Sequence, residues 1–392
     1  MTTGNRRALI VVLDGVGCGA AHDAAAYGDV GSNTLGNIAH AVGGLRLPNL
    51  EALGLGNLAT LEGVALVPAP GGAWGTMEPQ SAGKDSTTGH WEIAGIHLAH
   101  PFPTYPNGFP ANVIDEFRRA TGRPVVGNCV ASGTAIIETF AGQQRETGAW
   151  IVYTSADSVF QVAAHEGWIP LEELYRACEA ARELLVAPNN VSRVIARPFI
   201  GENGQWNRTA NRRDFSVAPT AETLLDTLAE AGIPRDGVGK VDDLFAGRNL
   251  TTRHTENNAA GITAINNWLN SETRGFCWAN LVDFDQLYGH RNDVHGFVGA
   301  LVEFDQALPH LLAQLKEDDL LFITADHGND PTTASTDHAR ERVPLLVAGP
   351  RIRPVPLGVR STFSDLGATV AAWFEVEWHG KGQSFLHSIL VT

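Results

Sequence analysis

The sequence predicts an α/β fold: a doubly wound, mainly parallel sheet with a smaller α/β cap domain inserted into it. Three features predict it: short apolar runs that stop abruptly at an acid or a Gly/Asn turn, helical patterns between them, and a middle stretch of different composition. The first run, residues 8–13, ends at Asp14-Gly15. Residues 150–153 lead into Thr154-Ser155-Ala156-Asp157, and 277–282 end in Asp283-Phe284-Asp285. Residues 320–325 end at Asp326-His327-Gly328-Asn329, and 344–347 at Ala348-Gly349-Pro350. Apolar runs of about four to eight residues without alternation read as strands buried on both faces, as in a parallel sheet. Between them, Pro170 to Ala187 is amphipathic with Glu172 and Glu173 in its first turn, Ala221 to Ala231 stops at Gly232, and Phe297 to Leu315 is again amphipathic. Strands alternating with helices build a doubly wound sheet, and ligands bind beyond the carboxyl ends of its strands. The acids stand there.

The middle supplies the insertion. Residues 98–219 are rich in Gly, Pro and Asn, as in His100-Pro101-Phe102-Pro103-Thr104-Tyr105-Pro106-Asn107-Gly108, and gather Arg193, Arg197, Arg208, Arg212 and Arg213. A cap domain over 98–219 divides the core into 1–97 and 220–392. The 392 residues accommodate two to three units of about 150 residues each.

Composition excludes several function classes. Lys+Arg 28 against Asp+Glu 43 leaves a net charge of −15, which disfavours nucleic acid and anionic membrane surfaces as partners. A 44% hydrophobic, 18% charged composition is that of a globular protein. No apolar stretch approaches the roughly 20 residues of a membrane helix, and the run after Arg7 is short for a signal peptide, so a cytoplasmic protein is expected. Cys18, Cys129, Cys178 and Cys277 lie far apart without a CxxC pair, which fits neither a disulfide scaffold nor a thiolate zinc site.

The strongest constellation lies in the last third. Asp285 precedes His290 by five residues, Asp326 and His327 are adjacent, and His338 follows eleven residues after His327. These groups converge if their strands are neighbours, and Asp14 at the end of the first strand joins them. Three Asp and three His suit two divalent ions with open positions for phosphate oxygens, and Zn, Mn or Fe all accept such ligands. The plainer alternative is strand-end Asp residues capping helices and His residues on surface loops.

A second constellation is Ser81-Ala82-Gly83-Lys84-Asp85-Ser86-Thr87-Thr88-Gly89-His90-Trp91-Glu92. Hydroxyls at the start of a helix sit beside free N–H groups, a place that favours anions. An activated hydroxyl there is a competent nucleophile at phosphorus. The alternative is a helix cap made by Asp85 or Ser86. Third, Tyr153-Thr154-Ser155-Ala156-Asp157-Ser158 offers an acid and hydroxyls suited to a sugar, while Arg193 and Arg208 could fork onto a phosphate. Arg193 and Arg197 lie in the apolar 191–200 segment and need partners; Arg212 and Arg213 read as solvated cations. Lys240, after a turn in Val238-Gly239-Lys240-Val241, could reach the same phosphate.

These motifs together resemble the bacterial phosphopentomutases, a family of the alkaline phosphatase superfamily, over nearly the whole length. The resemblance rests on Ile10-Val11-Val12-Leu13-Asp14-Gly15-Val16-Gly17, residues 83–92, 153–158 and 280–285 with His290, and Thr324-Ala325-Asp326-His327-Gly328-Asn329-Asp330 with Thr336-Asp337-His338. It implies an alkaline phosphatase-like core and phosphoryl transfer between the C1 and C5 oxygens of ribose or deoxyribose phosphate, with two Mn²⁺ ions. Asp14, Asp326 and His327 would hold one ion, and Asp285, His290 and His338 the other. The family's nucleophile is a Thr directly after Lys-Asp; here that position is Ser86, which has the same hydroxyl chemistry. Ser155, Asp157, Arg193, Arg208 and Lys240 match the family's substrate contacts. The resemblance further implies a working phosphoenzyme, a pentose 1,5-bisphosphate intermediate, a sugar bisphosphate activator, and a cap that excludes water. Small-molecule pentose phosphates are the expected partners of a monomer or small oligomer. Competing readings are a phosphatase or phosphodiesterase of the same superfamily, a mutase acting on phosphoglycerate, and a catalytically silent, metal-stabilised binding protein.

Overall fold

A computed structural model describes residues 6–155, 157–202, 204–271 and 273–391. The chain forms two compact units, one drawn from residues up to Pro101 together with those from Pro219 onward, the other Phe102–Ala218. Fourteen strands are seen among the described residues. In the first unit they are β1 (Arg7–Leu13) and β2 (Ala73–Met77), then, after the insertion, β9 (Arg235–Val238), β10 (Thr251–Arg253), β11 (Gly275–Leu281), β12 (Asp319–Thr324), β13 (Val343–Ala348) and β14 (Pro356–Arg360). The second unit holds β3 (Val125–Val130), β4 (Trp150–Thr154), β5 (Val159–His165), β6 (Arg193–Glu202), β7 (Gln205–Arg208) and β8 (Arg213–Ser216).

The first unit is an eight-stranded sheet in the order β10-β9-β11-β1-β12-β13-β2-β14. It is parallel from β10 through β12, and β14 is parallel to β2. Strands β1, β11 and β12 are buried along their whole length, as continuous apolar runs covered on both faces must be. Strand β13 is equally buried but runs antiparallel to both β12 and β2, unlike the parallel strand its apolar run predicts. Burial fixes a run's hydrophobicity and leaves its direction open.

Register places the site. Arg7 opposes Asp319 at the start of β1 and β12, and its Nε donates to Asp319 Oδ1 at 2.8 Å. The pair is buried, so a slip in register would strand a charge in the core. At the other end Leu13 opposes Leu281 and Val12 opposes Thr324. Three neighbouring strands therefore finish together and release Asp14, Asp283-Phe284-Asp285 and Asp326 on one edge.

The predicted helices form as Leu171–Leu184, Leu224–Glu230 and Val294–Leu312. The second starts later than its apolar pattern because Thr223 and Asp226 form a reciprocal capping box. In the second unit the sheet order is β3-β4-β5-β6-β7 with β8 on β6, and parallel and antiparallel pairs are mixed. Helices Ala111–Thr121 and Leu171–Leu184 pack a core of Val113, Phe117, Phe160, Leu174 and Val194 on one face. Helix Gly133–Thr147 covers the other with Ile136, Ile137 and Ala141 against Tyr153 and Phe199.

Candidate active site

Two adjoining Asp/His groups form at the strand ends. In the first, one ligand-type atom each from Asp14, Asp326 and His327 lies within 4.8 Å of the others, and all three residues are buried. The chain turns sharply after Asp14 through Gly15 (φ 74°), whose N–H donates to Asp326 Oδ1 at 3.2 Å. Asn280 Nδ2 donates to Asp14 Oδ2 at 2.8 Å. His327 Nδ1 faces the Gly328 carbonyl at 3.0 Å, which can only accept, so Nδ1 carries the proton. The other nitrogen, Nε2, is turned toward the carboxylates, 3.4 Å from Asp14 Oδ1 and 3.6 Å from Asp326 Oδ2.

The second group brings Asp285, His327 and His338 within the same 4.8 Å. After β11 the chain winds as a single π turn over Phe284–Tyr288 and then a short 3-10 turn, Gly289–Arg291; π turns recur at functional sites. This turn sets His290 Nε2 3.1 Å from Asp285 Oδ2, while its Nδ1 donates to the Thr336 carbonyl at 2.7 Å. His338 Nε2 stands 3.5 Å from Asp285 Oδ1, and Asn329 Nδ2 donates to the same oxygen at 2.7 Å. The His338 ring centroid is 4.3 Å from that of His327 and 4.7 Å from that of His290, so the two groups share a border.

The third component is the helix Ser86–Ile93. Asp85 caps it, accepting the Thr88 N–H on Oδ1 at 3.1 Å and the Thr88 hydroxyl on Oδ2 at 2.6 Å. The cap is Asp85, which leaves the Ser86 hydroxyl free of that duty. Ser86 Oγ lies 3.1 Å from His327 Nε2, where the two groups meet. Gly89 lets the helix come this close, since a Cβ there would lie 2.1 Å from the Asp326 carbonyl oxygen.

The electrostatics are those of a cation site. Burial and the neighbouring charge of Asp326 push the Asp14 carboxyl above its ordinary pKa. Burial also opposes ionisation of Asp285, but the charge of His338 and hydrogen bonds from His290 and His338 outweigh it, holding that carboxyl well below the usual range. Asp326 is lowered too, with burial overcome by His327 and His90. For His327, burial disfavours the cation, yet Asp326, Asp14 and Asp285 drive its pKa well up. Asp14 Oδ1 and Asp326 Oδ2 are buried without an aligned hydrogen-bond donor. Three crowded carboxylates, imidazole nitrogens turned toward them and two buried oxygens without an aligned donor fit a bound divalent metal.

The other predicted residues lie apart or in the second unit. Lys240 Nζ donates to Gln286 Oε1 at 3.4 Å, which places it beside the π turn that carries Asp285. In the second unit Ser155 and Asp157 follow β4, Arg193 begins β6 with its Nη1 3.6 Å from Asp214 Oδ2, and Arg208 ends β7 exposed. Arg197 finds the partner its apolar segment demands, Nε donating to Gln161 Oε1 at 3.0 Å. Arg212 is a solvent-exposed cation, as its sequence reads, and also meets both oxygens of Asp214 at 2.7 Å.

Sequence reasoning passed over three residues that touch this machinery. Asn280 and Asn329 orient carboxylates, and His90 Nδ1 sits 2.9 Å from the Ser86 carbonyl and 3.2 Å from Asp326 Oδ2. All three stand inside the motifs that carry the strand-end acids and the Ser86 helix, and that membership was the available signal.

Comparison with known proteins defines first a class. The Metalloenzyme superfamily profile matches residues 6–378. A phosphoglycerate mutase from Leishmania mexicana, solved at low cobalt concentration, is similar in fold at TM-score 0.53, with 12% identity over 99% of this chain and 98% of that one. Fold and site are those of an alkaline phosphatase-like metalloenzyme that depends on divalent metal. Phosphopentomutase from Dictyoglomus thermophilum is 55% identical over 386 residues, 98% of each chain, and that of Acetivibrio thermocellus 53% identical over 387 residues, 98% of this chain and all of its own. The chain belongs to the phosphopentomutase family. It is an enzyme, an isomerase that moves a phosphoryl group within small pentose phosphates. No helix among the described residues is long and apolar enough to cross a membrane.

Proposed function

We propose that Ser86 is the nucleophile of this mutase and that two Mn²⁺ ions are its metals, Asp14, Asp326 and His327 holding one and Asp285, His290 and His338 the other. Bound at the strand ends, the ions would neutralise charge on the transferring phosphoryl group. The remaining steps belong to the chain. Ser86 Oγ bonds to phosphorus as the donor's P–O bond breaks, giving a phosphoserine and a free pentose hydroxyl. A sugar bisphosphate activator loads the enzyme, the phosphoserine then passes its group to the free oxygen of a pentose phosphate, and the resulting pentose 1,5-bisphosphate returns the other phosphoryl group to Ser86. The positive end of the helix that begins at Ser86 favours the group in transit.

The observation that carries the assignment is the 3.1 Å approach of Ser86 Oγ to His327 Nε2. The nearby Thr88 hydroxyl is committed to Asp85 at 2.6 Å. Ser155, Asp157, Arg193 and Arg208 of the inserted unit, together with Lys240, are assigned to the pentose phosphate, with the insert acting as a cap against water. Water reaching the phosphoserine would turn the mutase into a phosphatase. The cytoplasm is the proposed compartment.

The test is peptide mapping after incubation with a pentose 1,5-bisphosphate, run beside an assay of ribose 1-phosphate conversion to ribose 5-phosphate. A phosphorylated peptide spanning Lys84 to His90 and little free phosphate are expected. Predominant release of free phosphate would favour a phosphatase, and a label on another peptide would move the nucleophile.

A further inference from the structure

Residues 79–83 lead from β2 into the helix that starts at Ser86, and this irregular stretch is gripped from two sides. Three of its carbonyls converge on Arg340, which is 3% exposed. Arg340 Nη1 donates to the Ser81 and Gly83 carbonyls at 2.7 and 2.6 Å, and Nη2 donates to the Pro79 carbonyl at 3.1 Å. Nε and Nη2 also bind the two carboxylate oxygens of Asp23, each at 3.0 Å. All five N–H groups of the guanidinium are used. Its Cζ lies over the Tyr27 ring, 4.7 Å from the centroid, and the Tyr27 hydroxyl accepts the Gly83 N–H at 3.2 Å. From the other side buried Glu92 accepts the N–H groups of Gln80 at 2.9 Å and Ser81 at 2.7 Å. The Arg340 backbone N–H donates to Asp29 Oδ2 at 2.8 Å, and the other end of the turn is tied to the same carboxylate by Lys84 Nζ at 3.0 Å.

Arg340 stands two residues after His338. One short segment thus carries both a member of the Asp/His groups and the clamp on the turn before Ser86. We infer that Arg340 is a positioning residue for phosphoryl transfer, setting the approach of the Ser86 hydroxyl by holding the carbonyls of Pro79, Ser81 and Gly83. This rests on Ser86 being the nucleophile. A planar fork can hold three carbonyls and a carboxylate at once; a Lys ammonium with three donors on a flexible stem cannot. Displacing a reacting group by about 1 Å can cost roughly a hundredfold in rate. Arg340 reaches none of Ser155, Asp157, Arg193, Arg208 or Lys240 through its hydrogen bonds, so the loss belongs to the transfer step and not to substrate binding.

The test is single-turnover phosphorylation by a pentose 1,5-bisphosphate in Arg340→Lys, with KM and metal content measured on the same preparation. Phosphoserine formation is expected to slow by roughly a hundredfold at unchanged KM and metal content. Asp23→Asn keeps the guanidinium on its three carbonyls without its counter-charge, and it is expected to lose less, again in rate alone; it also decides the matter if Arg340→Lys does not fold. Wild-type phosphorylation rates in the variants, or a loss that follows metal content or KM, would overturn the inference. Peptide mapping of the wild type separates the two readings. A label away from Ser86 defeats the nucleophile assignment, whereas a label on Ser86 formed at full speed in the variants defeats only the role of Arg340.

Discussion

The two Asp/His groups share a border and differ in how they are supported. Asp14, Asp326 and His327 follow directly from the ends of β1 and β12, and their side chains are 5%, 0% and 2% exposed. Strand register brings all three to the same buried edge. Asp285 also follows a strand, but His290 comes from a 3-10 turn with 32% of its side chain exposed, and His338 from the loop after Asn329. Their placement relies on local bonds, such as the Thr336 carbonyl on His290 and Asn329 on Asp285. Loops with exposed hydrogen bonds open at lower cost than core strands. The inner group is thus a preformed part of the sheet, and the outer group is assembled by turns.

Three substitutions at the site probe this difference. Ser86→Ala should have the largest effect, abolishing phosphoenzyme formation and lowering mutase activity by at least about 10³-fold while metal content stays intact. Full activity in that variant would place the nucleophile elsewhere. Asp326→Ala removes an inner carboxylate that also receives the Gly15 N–H. Metal and activity should fall together, the activity by about 10³-fold, because several kcal/mol of charge stabilisation disappear with the ion. Unchanged metal stoichiometry, read by elemental analysis after dialysis, would contradict the ligand assignment. His290→Ala should act more gently, by roughly 10²-fold, because Asp285 and His338 remain and the inner group keeps its support. If His290→Ala emptied both groups at once, the contrast between a sheet-built and a turn-built half would fail.

Legibility in the sequence follows the same division. Strands β1, β11 and β12 are covered on both faces, so their burial is written as unbroken apolar runs, and the acids that end them could be read as converging. Other elements left fainter marks. Strand β14 is a largely exposed edge, its Pro356-Leu357-Gly358-Val359-Arg360 carrying no apolar pattern. The helix Ser86–Ile93 is buried on nearly every side from Thr87 onward, so it shows no amphipathic stripe and only its cap is recognisable. The partnerships of Asn280 with Asp14 and Arg340 with Ser81 join residues 266 and 259 positions apart. No local pattern specifies such pairs; they follow from strand order and side-chain placement.

The smallest effect concerns a buried carboxylate that lacks what Asp285 and Asp326 have. Glu341 is 1% exposed and accepts the Thr34 and Gly19 N–H groups at 2.9 and 3.2 Å and the Thr34 hydroxyl at 2.8 Å, all neutral donors. Burial pushes its pKa from 4.5 to about 7, the donors offsetting only part of the cost. Asp285 and Asp326, equally buried but facing imidazoles, move the other way. Because the folded pKa lies above the unfolded one, the folded chain binds the extra proton. That stability is complete below about pH 4.5, declines as pH rises, and is gone above about pH 7, a swing of about 3 kcal/mol. Glu341→Gln preserves shape, and its amide can donate to the Thr34 hydroxyl. Unfolding midpoints of wild type and variant should therefore nearly coincide at pH 5 and separate by pH 8, with the variant the more stable. Curves that stay parallel from pH 5 to pH 8 would mean that Glu341 is already ionised across the range. Burial without a cation would then not be what distinguishes it from Asp285 and Asp326.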